Sequence, residues 1–469
     1  MEAARTRIVC TIGPASSSTT VLARMMRAGM DVARLNFSHG TYAEHSLLMK
    51  SIRSAAKKTG SIVALLQDLQ GPKIRVGNLP DRGVDLPEGM TVTLSASVKD
   101  YKQGGPIPVA YARLAHDVRP GHRILLDDGY MELEVLRVRG RIVHTVVKVG
   151  GKLTSHKGIN LPDSKVSVSA FTEKDSQDLV FGVSQGVDWV CLSFVTGPEV
   201  LLMVRKLIQT EARKHGVRPP LLMAKVERKA ALDRLDEIIE AADGIMLGRG
   251  DLGVEIPFED VPVIQKDVVE RCRLASKPVI VATQMLESMR TNPRATRAEV
   301  SDVANAVFDH ADAVMLSAES ATGRYPATTV QAMASVIREA EASRFDHLPE
   351  DSSIVNCLPS ALAHSVAVMA RRGLIHAVVT TSSLGADIGF LNMFRMDIPI
   401  LVAVPDSAAA RQAVLHAGFV PMIADDHGGT FVPRMKAELR QHLRLKAGQQ
   451  VAFVTPGIKG GVTLSVVPV

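Results

Sequence analysis

The chain has 469 residues, of which 46% are hydrophobic and 22% charged, with a net charge of +6. That length and balance predict more than one globular domain with ample core, and they exclude a disordered chain. Its basic residues are scattered and only 4% of the chain is aromatic, which argues against a nucleic-acid binder and leaves the charge to solubility and a cationic phosphate pocket.

From the N-terminus, apolar β-branched runs alternate with helix-like segments at 7–11, 31–37, 62–66, 187–194, 221–226, 244–247, 278–283 and 312–316. The starts lie mostly 23 to 34 residues apart, except for the step from the third run to the fourth. Removing residues 72–162 restores the ordinary spacing there. That segment reads differently, as short strands at 91–94, 124–129 and 142–147 joined by turn residues. The pattern predicts an α/β chain: a (β/α)8 TIM barrel formed by 1–71 and 163–340, with a small β-barrel lid, 72–162, inserted after the third strand. A third region, 341–469, opens with a helix at 360–370 and continues with strands at 377–381, 400–405, 420–423, 451–455 and 462–468. It reads as an open α/β sheet with a C-terminal antiparallel addition. No apolar run reaches the length of a membrane span, and the strand pattern starts too early to leave room for a signal peptide. Cys10, Cys191, Cys272 and Cys357 lie far apart, as expected of reduced thiols in a cytoplasmic enzyme.

Chemistry in such a barrel sits at the C-terminal ends of the strands. Six of the eight runs end there in polar groups: Arg34, Asn36 and Ser38; Asp68; Lys225 and Glu227; Asp251; Thr283 and Gln284; Ser317 and Glu319. Arg34, Asn36 and Ser38 alternate, and so do Lys225 and Glu227, which places each set on one face of an extended strand. A lysine, a carboxylate and a second carboxylate in the glycine-rich turn 248–253 suit a divalent metal and an anionic substrate. Burying such groups without a use for them is costly.

At these positions the sequence resembles the pyruvate kinase family. The resemblance rests on Ile8–Ser16, Asn36–Gly40, Lys225–Glu227, Arg249–Gly253, Ala282–Met289 and Pro293–Glu299, several long motifs in one order. It implies transfer of the phosphoryl group of phosphoenolpyruvate to ADP, giving pyruvate and ATP in the last step of glycolysis. It also implies a homotetramer. Glu227 and Asp251 then hold Mg2+ (or Mn2+), and Lys225 faces the transferring phosphoryl group and the enolate oxygen. Gly250, with the amide of Asp251, receives the substrate carboxylate, and Arg34 binds phosphate. Thr283 lies against the substrate or simply caps its strand; Ser317 and Glu319 join it in a proton relay or stay structural. Asn36, His39, Arg75 and Lys157 line the nucleotide, the alternatives being solvated surface charges for Arg75 and Lys157 and a loop histidine bonded to backbone for His39. The turn Asp127-Asp128-Gly129 reads as a lid turn.

Two departures from the family stand out. After the third strand many members carry a glutamate beside a bound potassium ion, whereas this chain has Lys73 in Gly71-Pro72-Lys73. Asn36, Ser38, Asp68 and the Leu69 carbonyl still offer an oxygen cage, but an ammonium nearby supplies the ion's charge and repels the ion itself, so potassium is not expected to be required. The loop 380–387, where relatives hold a sugar phosphate, lacks cations and adds Asp387, so activation by fructose 1,6-bisphosphate through it is not expected. Two alternatives remain open on sequence alone: a metal-dependent enolate lyase or aldolase on a related barrel, and a non-catalytic metabolite-binding regulatory paralogue.

Overall fold

Runs such as Arg7-Ile8-Val9-Cys10-Thr11 are apolar at nearly every position and buried throughout, as expected of parallel strands covered on both faces. Eight of them close into a barrel in the computed structural model, which describes residues 4–164, 169–348, 357–382, 388–424, 431–442, 445–456 and 462–469. They are β1 (Arg7–Thr11), β2 (Met30–Asn36), β3 (Ala64–Asp68), β4 (Trp189–Leu192), β5 (Leu221–Val226), β6 (Gly244–Gly248), β7 (Val279–Ala282) and β8 (Ala313–Leu316). All neighbours are parallel, and β1 closes the ring against both β2 and β8.

The intervening helices start where the sequence supplies caps. Thr41 accepts from the Glu44 amide at 3.3 Å while the Glu44 carboxylate accepts from the Thr41 amide at 2.7 Å, a reciprocal box that opens the helix Tyr42–Thr59. That helix ends at Gly60, whose left-handed φ of 67° a side chain would resist. Thr172 with Asp175 and Thr296 with Glu299 repeat the device for the helices Glu173–Ser184 and Arg297–Phe308.

The barrel interior is filled by alternating side chains, among them Val9, Val32, Leu66, Trp189, Met223, Met246 and Ile280. Val414 and Leu415, from the C-terminal region, close its lower end. Trp189 is wholly buried there and donates its indole N–H to the Gln412 carbonyl at 3.2 Å. The barrel and the C-terminal region therefore share a core.

The inserted segment forms a curled six-stranded mixed sheet whose two ends are joined through Arg75, which bridges to Gly158, and Val76, which bridges to Val109, with a two-stranded ribbon of Val84–Leu86 and Gly151–Leu153 beside it. Its longest strand, Met131–Arg139, is absent from the apolar runs read in the sequence. Met131, Leu133 and Val135 point inward and alternate with Glu132 and Glu134, so a search for continuous apolar residues passes over it. The run at 124–129 also ends early. Its strand stops at Leu126, and Asp127, Asp128 and Gly129 all take left-handed φ angles of 52°, 55° and 87°.

In the C-terminal region β9 (Ala377–Thr381), β10 (Ile400–Val404), β11 (Phe419–Ile423) and β12 (Gln450–Pro456) are parallel, in the order β11-β10-β9-β12. A final strand, β13 (Val462–Pro468), adds antiparallel to β12, as the sequence suggested. Most of the loop expected to lack an activator site, 383–387, lies outside the described residues.

Candidate active site

The upper rim gathers side chains from the ends of most barrel strands. Arg34 leaves β2 inward, and its Nε and Nη2 reach Asp68 Oδ2 at 2.7 and 2.6 Å. Its Nη1 donates to Thr11 Oγ1 at 2.8 Å, and Thr11 donates in turn to the Leu316 carbonyl at 3.0 Å. Asp68 takes a further bond from Ser193 Oγ at 3.3 Å and lies 3.8 Å from Lys225 Nζ. Burial opposes its ionisation, but Lys225 and Arg34 outweigh that and hold the Asp68 carboxyl below its ordinary value. Thr11 and Ser193 were not singled out in the sequence, although each ends or follows a barrel strand as the rim residues do.

Lys225 and Glu227 meet as their spacing predicts, with Nζ 2.6 Å from Oε1. Burial would strip the lysine of its proton, yet Asp68 and Glu227 reverse this and raise its pKa. Glu227 is pushed up to about 7, chiefly by burial and also by Asp251, against the pull of Lys225. Its Oε2 accepts from the Phe194 amide at 3.2 Å, while the buried Oε1 is met by the Lys225 ammonium. Phe194 reaches that position with a left-handed φ of 56°, unusual for an aromatic residue and a mark of local strain. Room for the carboxylate comes from Gly248, where an added Cβ would sit 2.7 Å from Glu227 Cγ.

The turn after β6 runs straight into the helix Arg249–Glu255, which presents Asp251 in its first turn. The Gly250 amide donates to Thr283 Oγ1 at 2.8 Å, and that hydroxyl donates to the Ala282 carbonyl at 2.6 Å. Thr283 and Gln284 hold φ angles of 73° and 57°, again left-handed without glycine. Arg249 holds this loop: its Nη2 reaches the Thr283 carbonyl at 2.7 Å, and both terminal nitrogens bind Asp302 at 2.7 Å. Glu319 is wholly buried and accepts from the amides of Leu286 at 3.2 Å and Ser317 at 2.7 Å, tying the ends of β7 and β8 together.

Ser38 departs from the sequence reading. β2 stops at Asn36, and Ser38 lies in the following turn, where its amide donates to Asn36 Oδ1 at 3.1 Å. The face shared by alternating residues therefore extends only through Arg34 and Asn36. The other oxygens of the expected cage are also engaged, the Leu69 carbonyl by Ser193 Oγ at 2.7 Å. His39 is exposed, and its carbonyl lies 2.9 Å from His45 Nε2.

On the lid side, Arg75 donates to the His156 carbonyl at 3.0 Å and Lys157 pairs with Asp127 at 2.7 Å. A Cβ on Gly158 would stand 3.4 Å from Asp128 Oδ1 and 3.6 Å from Lys73 Cε, so the Lys73 stem runs along the lid beside that aspartate. Among the described residues Lys73 pairs with no carboxylate. The left-handed turn at Gly129 comes against Val254 of the helix carrying Asp251: a Cβ added there would sit 3.5 Å from Val254 Cγ1. The lid thus rests on the rim.

Residues 3–330 match the family model "Pyruvate kinase, barrel domain". The pyruvate kinase of Staphylococcus saprophyticus is 42% identical over 429 residues, covering 90% of this chain and 72% of that protein. The pyruvate kinase of Agrobacterium vitis is 40% identical over 424 residues, covering 90% and 88%. The crystal structure of a pyruvate kinase from Cryptosporidium parvum superposes with a TM-score of 0.91 at 30% identity, covering 99% of this chain and 96% of that one. With those relatives and this rim, the chain belongs to the pyruvate kinase family and is a phosphotransferase.

Proposed function

We propose that this enzyme moves the phosphoryl group of phosphoenolpyruvate to ADP, using the upper rim as its active site. The bond between phosphorus and the enolate oxygen breaks, and a bond from phosphorus to a β-phosphate oxygen of ADP forms. The enolate left behind then takes a proton at its methylene carbon to give pyruvate. The observation that carries this reading is the trio of Lys225, Glu227 and Asp251: a buried cation paired with a buried carboxylate, and a second carboxylate close enough to raise the first.

Glu227 and Asp251 fit a Mg2+ ion, which takes one or two carboxylates and fills its shell with substrate oxygens and water. When bound, the ion supplies positive charge against the phosphate and carboxylate oxygens of the substrates. Lys225 supports the same reading as a fixed charge beside the leaving enolate oxygen, held protonated by Asp68 and Glu227. Arg34, whose fork suits a phosphate, is pre-aimed by Asp68 and Thr11. The Asp251 amide, and that of Gly250 once Thr283 Oγ1 releases it, suit the substrate carboxylate at the start of the helix. Thr283, held in its strained conformation by Arg249, is the group assigned to the proton path. Asn36 and His39 on the rim, with Arg75 and Lys157 on the lid, are assigned to the nucleotide.

The same proposal includes no potassium requirement. Its support is that Asp68 already has two cations, and that Lys73 brings a further charge to the region between rim and lid. We also assign the three units to 1–71 with 163–340, 72–162 and 341–469, a homotetrameric assembly, and a cytoplasmic setting. The four cysteines are free thiols, which favours a reducing compartment, and among the described residues no helix is long and apolar enough to cross a membrane. Pyruvate formation that needs both ADP and Mg2+, and that is lost in Lys225→Met, tests the reading. A Lys225→Met protein with full turnover contradicts it.

A further inference from the structure

At the opposite end of the barrel, the seam with the C-terminal region forms a half-open cavity of about 230 Å³. Arg53 reaches it from the helix Tyr42–Thr59, Arg218 from the approach to β5, and Arg411 from the C-terminal helix Ser407–Ala413. Each guanidinium is anchored by part of its fork only. Arg411 Nε lies 2.8 Å from Asp188 Oδ1, Arg218 Nη2 is 3.0 Å from Asp406 Oδ2, and Arg53 Nη2 donates to the carbonyls of Gln185 and Gly186 at 2.7 and 3.0 Å.

A guanidinium carries five N–H donors, so most of those around this cavity lack a protein partner among the described residues. The local charge is also uneven, with three arginines facing two carboxylates. Of these, Asp188 is 2% exposed and its Oδ2 is committed to the Leu65 amide at 2.8 Å. Asp406 is committed to capping its own helix through the Ala409 amide at 2.8 Å. Partial burial holds Arg53 below the usual arginine value, with Arg411 adding to the effect and Asp188 opposing it. Like charges converging on a cavity with unused, planar donor forks are the chemistry that selects a phosphate.

We propose that this seam cavity binds a small phosphate monoester, whose phosphate bridges Arg53 and Arg218 of the barrel to Arg411 of the C-terminal region. Its volume lies below the roughly 300–1,000 Å³ of drug-sized ligand pockets, so the ligand is compact. Because the donors come from two regions that share a core at Trp189 and Gln412, a bound phosphate cross-links them. The site is separate from the rim and takes no part in the phosphoryl transfer.

Calorimetric titration of the full-length protein with inorganic phosphate, ribose 5-phosphate and AMP tests this, in parallel with two variants. The double variant Arg53→Gln with Arg218→Gln removes two forks. Ala408→Glu places a carboxylate at the cavity wall and leaves all three arginines in place. The expected result is binding by the wild-type protein that both variants weaken about tenfold or more, while each retains its turnover. Tighter binding of ribose 5-phosphate assigns the site to a sugar phosphate, and tighter binding of AMP to a nucleotide. Absence of binding by all three probes at millimolar concentration overturns the proposal. So does binding that Ala408→Glu leaves unchanged, whether or not the double variant folds.

Discussion

The two ends of the barrel place buried acidic residues in similar positions and treat them in opposite ways. At the lower end Asp312 is fully buried and fully engaged. It accepts from Arg395 at 2.7 and 3.0 Å, from Asn392 at 2.7 Å, and from the amides of Val279 and Ala417 at 3.1 and 3.0 Å. Burial alone would raise its pKa, but Arg395 prevails and holds it below the ordinary value. At the upper end Glu227 is equally buried, yet it has only Lys225 and the Phe194 amide as partners, and burial prevails over them. Saturation marks the lower carboxylate as a bolt between the barrel and the C-terminal region. Sparse partnering, with Lys225 as its one charged contact, fits the upper one to the metal role proposed for it. Burial of a charge does not by itself separate structure from function; the completeness of its partners does.

The sharpest way to break this contrast is to remove one charge at each end. Lys225→Met should lower turnover by about 1,000-fold or more while costing much less stability than Asp312→Ala, because Glu227, already pushed up to about 7, takes a proton once its cation is gone. Asp312→Ala should do the reverse. It strands the Arg395 guanidinium and should cost about 3–5 kcal/mol in chemical denaturation, with turnover per folded molecule preserved. If the first unfolds the protein, or the second silences the folded enzyme, the two ends are not divided in this way.

A gentler probe is pH. Glu227 must be ionised to hold a metal, and its folded pKa of about 7 lies above the unfolded value near 4.5. Apparent Mg2+ affinity should therefore fall about tenfold per unit as pH drops below 7 and level off above it, as titration calorimetry can follow. The sign for stability is opposite. In metal-free protein this group favours the fold below the unfolded pKa, and that contribution is lost as pH rises through 7. Asp312, with a depressed folded pKa, contributes stability above its unfolded value and loses it in acid. The smallest expected effect is that of potassium: replacing it with sodium or tetramethylammonium should leave the rate unchanged. A strong loss would show that Lys73 and the cations around Asp68 do not substitute for the ion.

Much of this arrangement is legible in the sequence. β1, β5 and β9 have the ends that their apolar runs suggest, because strands buried on both faces carry their signal in composition alone. Lys225 and Glu227 share a face because a strand has a period of two. Ser38 did not follow, since that period ends with β2 and the chain turns at once. Met131–Arg139 was hidden because its outward face carries Glu132, Glu134 and Arg137. Thr11, Ser193 and the Phe194 amide lie beyond what a linear reading reaches. Their roles come from neighbours up to 305 residues away in sequence, as with Thr11 and the Leu316 carbonyl. The strained φ angles at Phe194 and Thr283 likewise have no signature in residue type, since neither position is glycine.

The most direct test is pyruvate formation from phosphoenolpyruvate, measured with the wild type and Lys225→Met side by side, with and without ADP and Mg2+. The account predicts pyruvate only from the wild type and only when both ADP and Mg2+ are present. Pyruvate formed at the wild-type rate by Lys225→Met would contradict it, and so would a wild type that forms none.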